Sequence, residues 1–129
     1  MSLLRSLALS LGLLCLVGCG GGESGTRVSG TVQWKNEPIA KGRIEFVPVD
    51  GKTASAGAVI QDGQYSVTMP PGEKVVRLFA YEDVRERTIN LGNGQTSTVV
   101  DTKQILPPEE NVNSTRRVTV SGKKQTLDF

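Results

Sequence analysis

The chain has no histidine, and its two cysteines, Cys15 and Cys19, lie four residues apart in an apolar N-terminal stretch. Without histidine it lacks the commonest general base and the commonest metal ligand. Past Cys19 there is no thiol nucleophile and no material for a disulfide, so a fold built there rests on its core alone. Serines are plentiful (Ser29, Ser55, Ser66, Ser97, Ser114 and Ser121), but none sits in a G-x-S-x-G elbow and no imidazole exists to activate one. The acidic pairs Glu82-Asp83 and Glu109-Glu110 are adjacent in sequence. On a strand, neighbours point to opposite faces, so such a pair does not converge for acid/base work. Asp50-Gly51 and Asp62-Gly63 stand alone, whereas a calcium loop needs several spaced oxygen ligands. These absences argue against an enzyme and predict neither a metal nor a cofactor. Charge of one sign is also lacking: without Arg5, fourteen basic residues face thirteen acidic ones, which argues against a nucleic-acid partner.

The one apolar run of note, Leu7 to Val17, has eleven residues. That is short of the roughly 20 a membrane-spanning helix requires. It follows Arg5 and ends in the small residues Gly18-Cys19-Gly20, the three-zone pattern of a secretory signal. Leu16-Val17-Gly18-Cys19 resembles the bacterial lipobox. The resemblance implies cleavage after residue 18, a diacylglyceryl thioether on Cys19, and attachment to a membrane through that lipid. Cys15 reads as one more apolar residue of the discarded signal. Residues 20–26, GGGESGT, form a flexible Gly/Ser tether. The expected division is a signal peptide over 1–18, a lipidated cysteine and tether over 19–26, and one folded domain over 27–129.

Within that domain the pattern is short strands. VSGTVQW (28–34) alternates, placing Val28, Gly30, Val32 and Trp34 on one face. NEPIAKG reads as a connection, and RIEFVPV alternates again with Ile44 and Phe46 inward and Pro48 at the strand exit. Asp62-Gly63 between apolar-alternating runs predicts a type I′ hairpin, with Tyr65, Val67 and Met69 in its second strand. Pro70-Pro71-Gly72 breaks that strand, and EKVVRLFAY (73–81) is the most apolar run of the domain, a central strand. VRERTINLGNGQTSTVV holds a further tight-turn signal at Asn93-Gly94, with Arg85-Glu86-Arg87 as an exposed strand face. ILPPEEN reads as an extended loop, and two last strands, around Val118–Val120 and Leu127–Phe129, are joined by a turn at Ser121-Gly122-Lys123. No segment keeps helical periodicity over ten residues. About seven strands with turns at this spacing predict an all-β sandwich.

Val28-Ser29-Gly30-Thr31-Val32, Pro38, Ile44-Glu45-Phe46-Val47-Pro48, Gly63-Gln64-Tyr65 and Pro71-Gly72 resemble the motifs of the carboxypeptidase regulatory-like (transthyretin-like, prealbumin-like) domain. The closing PPEENVNSTRRVTVSGKKQTLDF resembles the tail of small lipoproteins of planctomycete-type bacteria, except that Glu109-Glu110 stand where a basic and an aromatic residue are expected. The resemblance implies a transthyretin-like sandwich over nearly the whole mature chain. Its residues are turn and core positions and speak to fold far more than to function. Gly30 inside a strand marks a bulge or close backbone approach. Tyr65 suits a buried ring whose hydroxyl still finds a partner.

The expected role is a non-catalytic envelope module, structural or protein-binding, meeting an unidentified envelope protein or polysaccharide. A carbohydrate- or peptide-binding module is the alternative. For that, Trp34, the single tryptophan, and Tyr81 are the candidate contact rings. Arg116 and Arg117 are candidate contacts for acidic groups, although such charges also protect an edge strand. Gly20 after Cys19 is not an aspartate retention signal, and the resemblance to lipoproteins sorted in diderm bacteria then implies the outer rather than the inner membrane.

Overall fold

The computed structural model describes residues 25–129. The expected signal peptide, Cys19 and residues 20–24 of the tether lie outside the described residues. The described residues are all-β: β1 (Thr26–Thr31), β2 (Gln33–Trp34), β3 (Glu37–Pro38), β4 (Lys41–Pro48), β5 (Ala56–Gln61), β6 (Gln64–Met69), β7 (Gly72–Gly92), β8 (Gln95–Gln104), β9 (Arg117–Val120) and β10 (Lys124–Thr126). One 3-10 turn, Pro108–Glu110, occupies the stretch expected to be an extended loop.

The strands follow the order β10-β1-β6-β5-β4-β7-β8, with β9 also paired to β7; β2 and β3 form a separate two-stranded sheet. All neighbours are antiparallel except β1 and β10, which run parallel. The path is nearly severed in the middle, because β5 and β6 share a single pair, Gln61↔Gln64, beside their turn. Phe46 on β4 and Tyr65 on β6 are two strand spacings apart along the path, roughly 10 Å in a flat sheet. Their ring centroids are nevertheless 6.0 Å apart. The two parts, β10-β1-β6 and β5-β4-β7-β9, share one core: Val28, Tyr65 and Met69 from the first belong to the same buried cluster as Ile44, Phe46, Ile60, Val76 and Leu78 from the second.

Alternation builds that core. On β4, Ile44 and Phe46 are fully buried while Lys41 and Arg43 face water; on β7, Val76, Leu78 and Ala80 are buried. Val28, Val32, Ile60, Tyr65, Met69, Leu106 and Val120 are further members of the cluster. Each such large side chain contributes about 1.5–3 kcal/mol over leaving it in water. Lys74 is also buried at the end of this row, its Nζ 3.5 Å from the Thr53 hydroxyl.

Turn chemistry follows the sequence at two sites. Asp62 and Gly63 have φ of 52° and 75°, and Asn93 and Gly94 have 54° and 74°, as a type I′ turn requires. Gly30 answers the close-approach expectation: a Cβ there would stand 1.9 Å from the Leu127 carbonyl oxygen. The approach comes from the C-terminus, where Leu127 N–H donates to Ser29 O and Phe129 N–H donates to Thr31 O. Tyr65 behaves as expected too, its buried hydroxyl donating to Leu127 O at 2.7 Å. Burial, and secondarily the charge of Asp128, push that phenol well above its ordinary pKa.

Three expectations need correction. VSGTVQW is not one strand: β1 ends at Thr31, and Val32 turns into the core, its N–H donating to Gly63 O while its carbonyl accepts from Ile39 N–H. The expected NEPIAKG connection instead supplies β3 of a small hairpin, turned by Lys35 and Asn36 at φ of 52° and 67°. The last two strands are no hairpin, since β9 pairs with β7 and β10 with β1. The Ser121–Lys123 turn carries the chain from one part of the sheet to the other. The strand after it starts earlier than expected, at Lys124–Thr126, and Leu127 and Phe129 continue its backbone bonds along β1.

The register also sets a polarity. Thr26 pairs with Met69 and Gly72 pairs with Val120, so the chain enters the body at the end where β7 begins. Gly42 pairs with Ala80 at the opposite end.

Candidate functional site

β7 leaves the body without stopping. Its last partner on β4 is Gly42, opposite Ala80, yet it continues twelve residues to Gly92, paired with β8 alone. With β8 it forms a two-stranded arm, Tyr81 to Gln104, in which no residue is buried. At about 3.3 Å per residue the arm reaches roughly 35 Å past the body. It points away from the end where β1 starts. The sequence alone places a strand up to Tyr81, then an exposed strand face and a turn. The signal for more is present: Thr96, Thr98, Val99 and Val100 are β-branched, and Asn93-Gly94 joins the strands. An isolated hairpin needs no apolar stripe, so the alternation on β8 is only between half-buried Ser97, Val99 and Asp101 and their exposed neighbours, without the apolar period that marks a strand in sequence.

The arm's base is fastened by side chains. Gln104 Oε1 accepts from Leu106 N–H at 2.6 Å and from Ala80 N–H at 3.4 Å, while its Nε2 donates to Leu106 O. Lys41 on β4 donates to Asp83 on the arm at 2.9 Å. Farther out, Arg85 and Arg87 both donate to Asp101, at 3.2 and 3.1 Å. Such exposed pairs contribute a few tenths of a kcal/mol each and are screened by salt.

The two edges of the arm differ. β7's edge carries Glu82, Asp83, Arg85, Glu86 and Arg87, and its register shifts twice, leaving Val84 and Leu91 unpaired. Charges and bulges of this kind blunt an edge. β8 pairs every residue from Gln95 to Gln104 without interruption, and from Gln95 to Val100 it carries no charge. Its outer side has no partner strand among the described residues.

A concavity of about 250 Å³ lies where the arm leaves the body, lined by Trp34, Pro38, Ile39, Tyr81, Glu82 and Ile105 among others. It brings together the two aromatic residues singled out from sequence, from β2 and from the first position beyond the body. Trp34 is half-buried and packs against the core edge, rather than standing fully in the inward row with Val28 and Val32; Tyr81 is half-buried as well. The ring-to-ring contacts among the described residues are those of Phe46, Tyr65 and Phe129, so Trp34 and Tyr81 line one concavity without stacking.

Arg116 and Arg117 are elsewhere, beside Val76 and Val75 on the body. Arg116 is paired with Glu110 at 3.0 Å and lies over the Phe129 ring, and Arg117 is paired with Glu73 at 3.4 Å. β9 pairs only with β7, so these charges flank an edge strand. A shallower depression of about 560 Å³ opens on the outer face of β4, β5 and β7. It contains the Arg43–Glu45 ion pair and Arg77, whose buried Nε has no partner among the described residues. Among the described residues no three His, Cys, Asp or Glu side chains gather as a metal site requires.

No known protein family and no curated protein matches the chain. Among solved structures it is similar to a protein of Bacteroides ovatus described as a "putative adhesin", with 13% sequence identity and a TM-score of 0.42 over 82% of this chain. The chain spans 44% of that protein's length. A likeness this distant carries no function across.

Proposed function

We propose that the protein is a lipid-anchored envelope module without catalytic activity, built as a transthyretin-like β-sandwich that holds an interaction arm away from the membrane. The observation that carries this reading is the polarity of the body: β1 begins at one end and the arm leaves from the other. Two or three acyl chains on Cys19 hold effectively permanently, at about 0.8 kcal/mol per buried methylene. Thr26 is already the buried first residue of β1, so the Gly/Ser tether is residues 20–25, one shorter than expected. Six such residues span about 13 Å, enough to stand the body just off the lipid with the arm outward. A fold whose two sheet parts enclose one core and meet at one turn suits a sandwich, and the close approach at Gly30 and the buried ring of Tyr65 fit the family resemblance. Gly20 favours the outer membrane.

The test has two halves. Intact mass and detergent partitioning, compared between wild type and Cys19→Ser in a diderm host, read the anchor; the expected wild type lacks residues 1–18 and is heavier by two or three acyl chains. Photocrosslinkers at Val84 and Val100 on the arm, against one at the exposed Val59 on the body, read the contact surface in cells. Adducts from the arm positions are expected; adducts from Val59 alone overturn the arm's role.

A second reading rests on the concavity at the arm's base. Trp34 and Tyr81 in its lining, with Glu37 and Lys41 beside them, suit the end of a glycan or an extended peptide. Loss of binding to isolated envelope polysaccharide in both Trp34→Ala and Tyr81→Ala supports it, and unchanged binding in both removes it.

A further inference from the structure

We propose that β8 is a self-pairing edge: two copies of the chain join their arms antiparallel, β8 to β8, into one four-stranded sheet that links copies standing on facing surfaces. This deepens the reading above and rests on it for the direction of the arm. Two features carry it, the asymmetry of the arm's edges and the composition of β8. A two-stranded ribbon is marginal in water, whereas three or more strands hold. The arm therefore gains from added strands, and only one of its edges is open to them. β7's edge is closed by charge and by the bulges at Val84 and Leu91. β8's is regular over ten residues, with its backbone N–H and C=O groups on that side unpaired among the described residues.

Charge and register point to a second copy as the occupant. A two-fold axis through a continuous antiparallel sheet pairs residues of the same face, so a single residue sits on the axis. With Val99 there, Thr98 meets Val100, Ser97 meets Asp101, Thr96 meets Thr102 and Gln95 meets Lys103. Charged residues then face polar ones, and Thr faces Val or Thr, pairings that stabilise a sheet. Sliding the axis to Val100 sets Asp101 against Val99, and sliding it to Asp101 sets two carboxylates against each other, which destabilises. The strand is thus complementary to itself in one full-length register. Between Glu82 and Lys103 the arm carries three basic and four acidic residues, so two arms approach without strong repulsion. Antiparallel pairing puts the two bodies at opposite ends of the shared sheet, with their anchored ends pointing apart. Two such copies fit facing surfaces.

The test uses the chain from Cys19 onward in two forms. In the first, Cys19→Ser removes the native thiol and single cysteines are placed along β8. Residues directly opposite across an antiparallel pair are about 4.5–5.5 Å apart at Cα, within disulfide range. Val99→Cys is expected to oxidise to a covalent dimer in high yield, and Thr96→Cys and Thr102→Cys to link to each other in a mixture while each alone stays monomeric. Dimers from Val100→Cys in place of Val99→Cys overturn the register, and no dimer from any position overturns self-pairing. In the second form, Cys19 of the otherwise unchanged chain is coupled to maleimide-headgroup lipid in phosphatidylcholine vesicles. Clustering of the vesicles, abolished when residues 82–103 are replaced by an Asn-Gly turn, supports the facing-surface geometry; dispersed vesicles overturn it. Arm adducts to other proteins in cells, without Val99→Cys dimers, sink the self-pairing and leave the interaction arm standing. The absence of both sinks the two together.

Discussion

The body and the arm are built from the same strand, β7, yet by opposite rules. From Lys74 to Ala80 every second residue of β7 is buried; beyond Ala80 none is. The part inside the body is held by the hydrophobic effect, and the twelve residues of the arm by ladder hydrogen bonds and exposed ion pairs. An uninterrupted strand therefore passes from packed body to exposed ribbon without a linker, and under the proposed role stability and contact are separated along one stretch of backbone.

That contrast can be broken from either side. Phe46→Ala, at the meeting point of both sheet parts, is expected to cost about 3–5 kcal/mol in denaturant unfolding. A loss below about 1 kcal/mol would mean the two parts do not share a core. Gly30→Ala is expected to cost more than about 2 kcal/mol, because its Cβ would collide with the Leu127 carbonyl and push the C-terminal residues off β1. An unchanged Tm would place the C-terminus elsewhere. Tyr65→Phe keeps the ring and leaves the Leu127 carbonyl without its donor, a loss of about 1–2 kcal/mol. On the arm the expectations shrink. Asp101→Asn weakens two exposed pairs and is expected to change stability by at most about 0.5 kcal/mol, a difference that fades at high salt. Replacing residues 82–103 by an Asn-Gly turn is expected to leave the body's unfolding free energy unchanged while removing arm adducts in cells. A large loss of stability there would show that the arm belongs to the fold.

Sequence carries most of the body and little of the arm, for physical reasons. Alternation at Ile44 and Phe46 follows because burial on one face writes a period of two into the chain, and the Asp62-Gly63 turn, the close approach at Gly30 and the tied hydroxyl of Tyr65 follow from local rules. Of the arm, the Asn93-Gly94 turn and the exposed Arg85–Arg87 face are legible, but not its length or its departure from the body. The Lys35-Asn36 turn is not legible, since neither residue is glycine and the left-handed backbone there is imposed by the hairpin. The pairing of β9 with β7 and β10 with β1 is not legible either. Adjacent strands suggest a hairpin, and only the two-part core decides otherwise. As for the site, the chemistry of Trp34 and Tyr81 marks them in the sequence, but that they share one concavity depends on where β2 and the arm's base meet. Arg116 and Arg117 look available in sequence and are occupied by Glu110 and Glu73.

The central claim is that the arm is a part that a second chain completes. Hydrogen exchange of the β8 amides, read at high dilution and again after assembly, tests this most directly. Gln95–Gln104 are expected to exchange rapidly in the dilute chain, while β4 and the first half of β7 stay protected, and β8 is expected to gain protection on assembly. Body-like protection of β8 at every dilution, or none gained on assembly, would contradict it.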